Sequence, residues 1–143
     1  MPVLDGGNST RILVINNDAD DNHSGDTNDH INIIYMVFQR GRSPNGSDGG
    51  GLAVFSVSSL ITVAENTFSD NGVGRRGGAA RIGTQGGGIV DILNNTFTGN
   101  SAGGKAGALS AGTYGQDNLT VSGNTFLNNR AGDGGGGCSW PSI

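Results

Sequence analysis

The sequence predicts an all-β chain wound as a right-handed parallel β-helix, with about four to five coils of 29–30 residues each. Three observations predict it. Phenylalanines stand at Phe38, Phe68, Phe97 and Phe126, at intervals of 30, 29 and 29 residues. The wording around the last three repeats as Asn66-Thr67-Phe68, Asn95-Thr96-Phe97 and Asn124-Thr125-Phe126, each followed three residues past the Phe by Asn71, Asn100 or Asn129. Each period also holds an alternating apolar run and a bunch of glycines. A fixed period of this length, in constant phase, marks a solenoid, and the alternation marks its units as strands. A helical solenoid is excluded because no apolar stripe of helical period exists. The hexapeptide rhythm of a left-handed β-helix is absent, and a propeller blade of about 40–45 residues is too long.

The elements follow in order. Leu4-Asp5-Gly6-Gly7 reads as a turn and Arg11-Ile12-Leu13-Val14-Ile15 as a strand of an early coil. Residues 16–30, Asn16 to His30, are almost wholly polar and read as a loop thrown out between coils, since nothing in them favours burial. Three strands per coil then recur. The first is Ile61-Thr62-Val63, Val90-Asp91-Ile92 and Leu119-Thr120-Val121, with Ile31-Asn32-Ile33 less closely in phase. The second is the Asn-Thr-Phe step, with Phe inward and Thr outward. The third follows the glycines at Gly78-Ala79-Ala80-Arg81-Ile82, Gly107-Ala108-Leu109-Ser110-Ala111 and Gly137-Cys138-Ser139-Trp140, and Gly51-Leu52-Ala53-Val54 is its displaced counterpart. Glycine runs such as Gly86 to Gly88 and Gly134 to Gly137 are read as supplying positive φ at the corners and close backbone approach.

Stacked coils place equivalent residues about 4.8 Å apart. Phe38, Phe68, Phe97 and Phe126 then form an interior aromatic ladder. Asn66, Asn95 and Asn124 form one hydrogen-bonded column, and Asn71, Asn100 and Asn129 a second. The plainer alternative is that Asn and Gly only mark surface turns; the matching phase of the two columns speaks against it.

Bulk properties bound the rest. The 143 residues make one domain, 1–143, or a piece of a longer solenoid. A hydrophobic fraction of 34% with 28 glycines resembles low complexity, but the apolar runs recur in register, which disorder does not require. A formal charge of -4 and a pI near 4.8 argue against a nucleic-acid partner. No apolar stretch approaches the roughly 20 residues of a membrane span, so no membrane insertion is expected of this chain. Cys138 is the single cysteine, so no internal disulfide is open to it. The start, Met1-Pro2-Val3-Leu4-Asp5, lacks the basic and apolar regions of a signal peptide, and any export signal is expected elsewhere.

At this level the repeat resembles a known family. Phe68-Ser69-Asp70-Asn71, Phe97-Thr98-Gly99-Asn100 and Phe126-Leu127-Asn128-Asn129 fit the Phe-x-x-Asn half of a paired signature. Gly77-Gly78-Ala79-Ala80, Ala106-Gly107-Ala108-Leu109 and Gly50-Gly51-Leu52-Ala53 resemble its Gly-Gly-Ala-aliphatic half. That pair is the repeat of the polymorphic outer membrane proteins and kindred bacterial right-handed β-helix proteins, and the likeness covers residues 4–140. Ala106 departs from a Gly, Ala80 is small for the aliphatic position, and Gly137-Cys138 matches loosely. The resemblance implies an extracellular, surface-displayed bacterial passenger or adhesin, with further coils and an anchor. Partners would then be a host surface or glycan.

Three chemistries are weighed against that scaffold. In the acidic loop, Asp18, Asp20, Asn22 and Asp26 alternate as calcium-binding oxygens would, and Ca2+ is the only cofactor suggested. The EF-hand form fails because its twelfth position is Asp29 rather than Glu; a solvated acidic loop is the competing reading. A carbohydrate-active enzyme, lyase or hydrolase, needs paired carboxylates or an Arg beside bound Ca2+. Asp70 and Asp91 are the only acids between Glu65 and Lys105 and fall on different segments, while Arg75, Arg76, Arg81 and Lys105 have no neighbouring acidic column. No catalytic residue is therefore named. The outward Thr67, Thr96 and Thr125 suggest an ice-binding rank, judged too narrow beside Thr62, Asp91 and Thr120. The expected function is a non-catalytic surface scaffold, adhesive or structural. Self-association is expected through open coil ends or flanking coils, unless Trp140 and Pro141 cap the last coil.

Overall fold

Short alternating strands joined by tight corners wind the chain into parallel sheets that form an all-β solenoid of about three turns. The computed structural model describes residues 1–16, 30–43, 47–86, 88–114 and 118–139. Three turns carry four strands apiece. They are β6 (Leu60–Ala64), β7 (Thr67–Ser69), β8 (Gly72–Val73) and β9 (Ala80–Gln85); β10 (Ile89–Leu93), β11 (Thr96–Thr98), β12 (Ser101–Ala102) and β13 (Leu109–Tyr114); then β14 (Asn118–Ser122), β15 (Thr125–Leu127), β16 (Arg130–Ala131) and β17 (Cys138–Ser139). Beneath them lie β1 (Val3–Asp5), β2 (Leu13–Asn16), β3 (His30–Ile34), β4 (Val37–Gln39) and β5 (Leu52–Val57). Every strand pairs in parallel with its counterparts one turn away, giving sheets β1-β4-β7-β11-β15, β3-β6-β10-β14, β8-β12-β16 and β2-β5-β9-β13-β17.

Three readings of the sequence are corrected here. The sequence marks three strands per turn and the structure has four. The extra one, β8, β12 or β16, is two residues long and so too short to show an alternation. The polar segment is shorter than 16–30, because Asn16 ends β2 and His30 opens β3 in register with Leu60; residues 17–29 lie outside the described residues. Gly50-Gly51-Leu52-Ala53 is one step out of phase, because Leu52 faces Ala80, not Ala79. The residue equivalent to Gly77 is therefore Gly49, and both have positive φ, 64° and 66°.

Inside, the rings of Phe38, Phe68, Phe97 and Phe126 stack at 4.9, 4.9 and 5.0 Å between centroids, within 8° of parallel. Ile33, Val63, Ile92 and Val121 make a second inward row, and Leu13, Leu52, Ala80, Leu109 and Cys138 a third. Cys138 is thus an interior residue, and burial pushes its thiol pKa up, away from the reactive thiolate.

Two Asn columns run along the corners on either side of the phenylalanines. The Oδ1 of Asn95 accepts the backbone N–H of Asn66 at 2.9 Å and its side-chain N–H at 3.0 Å; Asn124 does the same for Asn95. Each Nδ2 also donates to a carbonyl in the turn below: Asn66 to Ile33, Asn95 to Val63 and Asn124 to Ile92. Asn71, Asn100 and Asn129 repeat the pattern, with Nδ2 donating to the carbonyls of Phe38, Phe68 and Phe97. Corner backbone that bends out of the sheet has no strand partner, and these side chains supply one.

The residue before each column position turns the corner in the left-handed region. At the first corner these are Tyr35, Glu65, Asn94 and Gly123; at the second, Arg40, Asp70, Gly99 and Asn128. Six of these eight are not Gly; the positive φ expected of the glycine runs is found elsewhere, at Gly49, Gly77, Gly86 and Gly134. Glycine also permits close approach, as the glycine runs lead one to expect. A Cβ on Gly78 would run into the carbonyl oxygens of Gly107 and Ser101. Gly78→Ala should therefore lower the thermal midpoint, whereas Gly134→Ala, where a Cβ meets nothing, is limited to its φ of 95°. Thermal melts of the two variants check this, with Gly78→Ala expected to be the worse.

Candidate functional site

The outward residues of β3, β6, β10 and β14 form rows along the solenoid axis. His30, Leu60, Ile89 and Asn118 make the first, Asn32, Thr62, Asp91 and Thr120 the second, and Ile34, Ala64, Leu93 and Ser122 the third. Two rows with apolar members thus flank a polar stripe. Ile34 and Ile89 are 45% and 42% exposed, and Tyr35, at the corner beyond Ile34, is 60% exposed. Alternation directs one set of apolar residues inward but leaves these outward, where no core claims them.

Tyr35 has φ 56°. A bulky side chain in the left-handed region costs about 1–2 kcal/mol relative to its right-handed form. Its equivalents are Glu65 and Asn94, joined by a 2.9 Å hydrogen bond from Asn94 Nδ2 to the Glu65 carboxylate, and Gly123. The aromatic ring is thus held outward at a strained corner where glycine serves one position of the same column.

Around that corner lies the outer face of β1-β4-β7-β11-β15. Thr67, Thr96 and Thr125 form its expected column, continued by Val37 and Val3. The neighbouring rank is Asp5, Gln39, Ser69, Thr98 and Leu127, rather than Thr62, Asp91 and Thr120, because a three-residue strand points both its ends outward. Paired hydroxyls therefore occur only in β7 and β11, bounded by Gln39 and by Leu127.

The Asp5 carboxylate at the first turn accepts from Arg40, from Gln39 Nε2 at 2.9 Å and from the Gly7 N–H at 2.9 Å. Arg40's hydrogen bonds first, then Gly7 and Gln39, hold its pKa well below the usual carboxylate range. A depressed folded pKa gives stability that is present above the unfolded value, about 3.9, and is lost as pH falls below it. The protection factors of the β1 amides should accordingly fall below about pH 4 in the parent chain, and Asp5→Asn should flatten that dependence.

A second charged cluster sits on the outer side of β5, β9 and β13. Arg81 is only 7% exposed; its Nη1 donates to Ser110 Oγ at 2.8 Å and its Nε lies 3.8 Å from Asp48 Oδ2. The guanidinium stands 5.7 Å from the centre of the Phe55 ring. Beside Arg81, for which the sequence offers no acidic column, the structure places a single acid, Asp48, which spacing alone does not reveal. Asp48 Oδ1 also accepts from the Arg76 N–H, and Arg11 donates to the carbonyls of Gly49 and Asp48. These bonds tie Asp48 and Gly49 to Arg11, Arg76 and Arg81.

Asp18, Asp20, Asn22 and Asp26, with His23, lie outside the described residues, as do Trp140 and Pro141. Among the described residues no three His, Cys, Asp or Glu side chains group as a metal site. Asp70 and Asp91 remain apart, on the second corner and on β10.

Fold and surface together define a parallel β-solenoid with two outward sheet faces meeting at an aromatic corner. Comparison with protein-family models, with curated proteins and with solved structures finds no match to this chain.

Proposed function

We propose that the chain is a non-catalytic surface scaffold whose outer β3-β6-β10-β14 face, with Tyr35, adheres to glycan on a host or neighbouring surface. The carrying observation is Tyr35: a ring 60% exposed, kept at φ 56° beside the apolar row of Ile34, Ala64 and Leu93. The corner imposes positive φ at every turn, and the functional hint is that an exposed aromatic is kept there where glycine would relieve the strain. Sugars present an apolar ring face and a polar rim, and this surface offers apolar rows beside Asn32, Thr62, Asp91 and Thr120. An extracellular bacterial setting accords with the repeat's resemblance to outer membrane passengers. The proposal includes right-handed winding and four to five coils when β1 to β5 are counted with the three full turns. Parallel crossovers are right-handed in about 98% of cases, which supports that hand.

Tyr35→Gly tests the reading because it separates binding from folding. Relief of the strained corner should leave stability unchanged or raise it by up to about 1 kcal/mol. Retention on a glycan array should fall at least tenfold. Undiminished retention in the variant, or saccharide cleavage by the purified parent chain, would overturn the proposal.

A further inference from the structure

The two ends of the Asn columns are not alike. Each column side chain supplies an Oδ1 to the backbone N–H one turn below, so the chain of acceptors points in one direction. At the lower end it stops cleanly. The N–H of Met36 donates to Asn66 Oδ1 at 3.0 Å, and that of Gly41 to Asn71 Oδ1 at 2.8 Å. One turn further down, the position beneath Met36 is Pro2, whose carbonyl accepts from Val37 as that of Met36 accepts from Thr67. Proline has no N–H to satisfy. The position beneath Gly41 is Thr10, whose carbonyl accepts from Arg42 as that of Gly41 accepts from Gly72. The Thr10 N–H turns back to the Gly6 carbonyl at 3.3 Å. Neither position needs an asparagine above it, and at Met36 and Gly41 none is present.

The upper end is different. Asn124 and Asn129 supply their Oδ1 atoms downward to Asn95 and Asn100. Among the described residues their own backbone N–H groups have no acceptor. Between them Phe126 has a stacked ring below it and, among the described residues, no ring above. An edge with unmet donors is a template for another strand.

We infer that this edge is a docking site for a further β-coil carrying Asn-x-Phe-x-x-Asn, in parallel and in register over Asn124, Phe126 and Asn129. Such a coil brings an Oδ1 to each N–H and a ring to the open face of Phe126. A second copy of this chain does not fit head to tail, because its lower edge offers Pro2 and Thr10 in place of the two asparagines. The inference names the partner for the scaffold reading above and rests on it only for its purpose.

Amide exchange tests it. In the parent chain, the amides of Asn124 and Asn129 should exchange at least tenfold faster than those of Asn95 and Asn100. A chain lengthened by a second copy of residues 115–143 after Ile143 should slow the first pair at least tenfold. Asn→Ala at the added copies of Asn124 and Asn129 should return both amides to their parent rates. The inference is overturned by equal protection of all four amides in the parent, by unchanged rates in the lengthened chain, or by full protection in its Ala variant. Protection that rises with parent concentration would also overturn it, in favour of self-association. Glycan retention, read separately on the same chains, reports on the surface proposal without touching these outcomes.

Discussion

Asn95→Ala should be the most damaging polar substitution in the chain, lowering stability by about 3–5 kcal/mol. The side chain is buried and joins three turns at once. It accepts from the Asn66 backbone and side chain and donates to the Val63 carbonyl and to Asn124 Oδ1. Removing it strands the Asn66 N–H and the Val63 carbonyl where water does not replace the partner. Each stranded group costs about 1–3 kcal/mol, whereas the net value of a satisfied hydrogen bond is about 1. Asn124→Ala should cost less, because it sits partly exposed in the last turn and water reaches the groups it leaves behind. Denaturant unfolding of the two variants checks the order. Asn95→Asp sharpens the test. Its carboxylate keeps the acceptor but cannot donate to the Val63 carbonyl, and burial without a cation raises its pKa. A raised folded pKa means that stability is recovered as pH falls through it, so this variant should melt higher at pH 4 than at pH 7.

The Asn and Phe columns show why part of this fold is readable from sequence and part is not. A ladder position accepts one residue type because its neighbours above and below are that same type. The period therefore carries both the residue and its phase. β8, β12 and β16 carry no such demand: their two residues are Gly-Val, Ser-Ala and Arg-Ala, alike only in being short. The corners are intermediate. Asn94, Asp70, Asn128, Gly99 and Gly123 belong to the types that enter the left-handed region readily, and their place before each column Asn is a signal that spacing offers. Tyr35, Glu65 and Arg40 hold the same conformation against propensity, forced by the turns stacked on them. For that reason Tyr35, the centre of the candidate surface, is invisible to a motif search. It becomes visible only as an exposed ring in a strained corner. The Arg81–Asp48 pair escapes for another reason: Asp48 occupies the position held by Arg76 one turn on, so the acid does not recur with the period.

Phe97→Ala should have the largest apolar effect, about 3–5 kcal/mol. Phe97 is fully buried, with Phe68 at 4.9 Å on one face and Phe126 at 5.0 Å on the other. Truncation loses the transfer energy of the ring and leaves a cavity that stacked turns cannot easily close, since hydrogen bonds across the sheets fix their spacing. It also removes two aromatic contacts, each worth about 0.5–1.5 kcal/mol beyond area. Phe126→Ala removes one contact and opens a space at the half-exposed end, so its cost should be roughly half as large. The contrast has a further consequence in a solenoid, where stability is a sum over turns and nearest-neighbour interfaces. Phe97→Ala weakens both interfaces of the middle full turn and should uncouple the turns on either side of it. Unfolding followed by amide exchange should then resolve two transitions, with the β14 to β17 turn lost before the β6 to β9 turn. Phe126→Ala should leave a single main transition. A single cooperative transition in Phe97→Ala, shifted no further than in Phe126→Ala, would show that the aromatic column does not couple the turns.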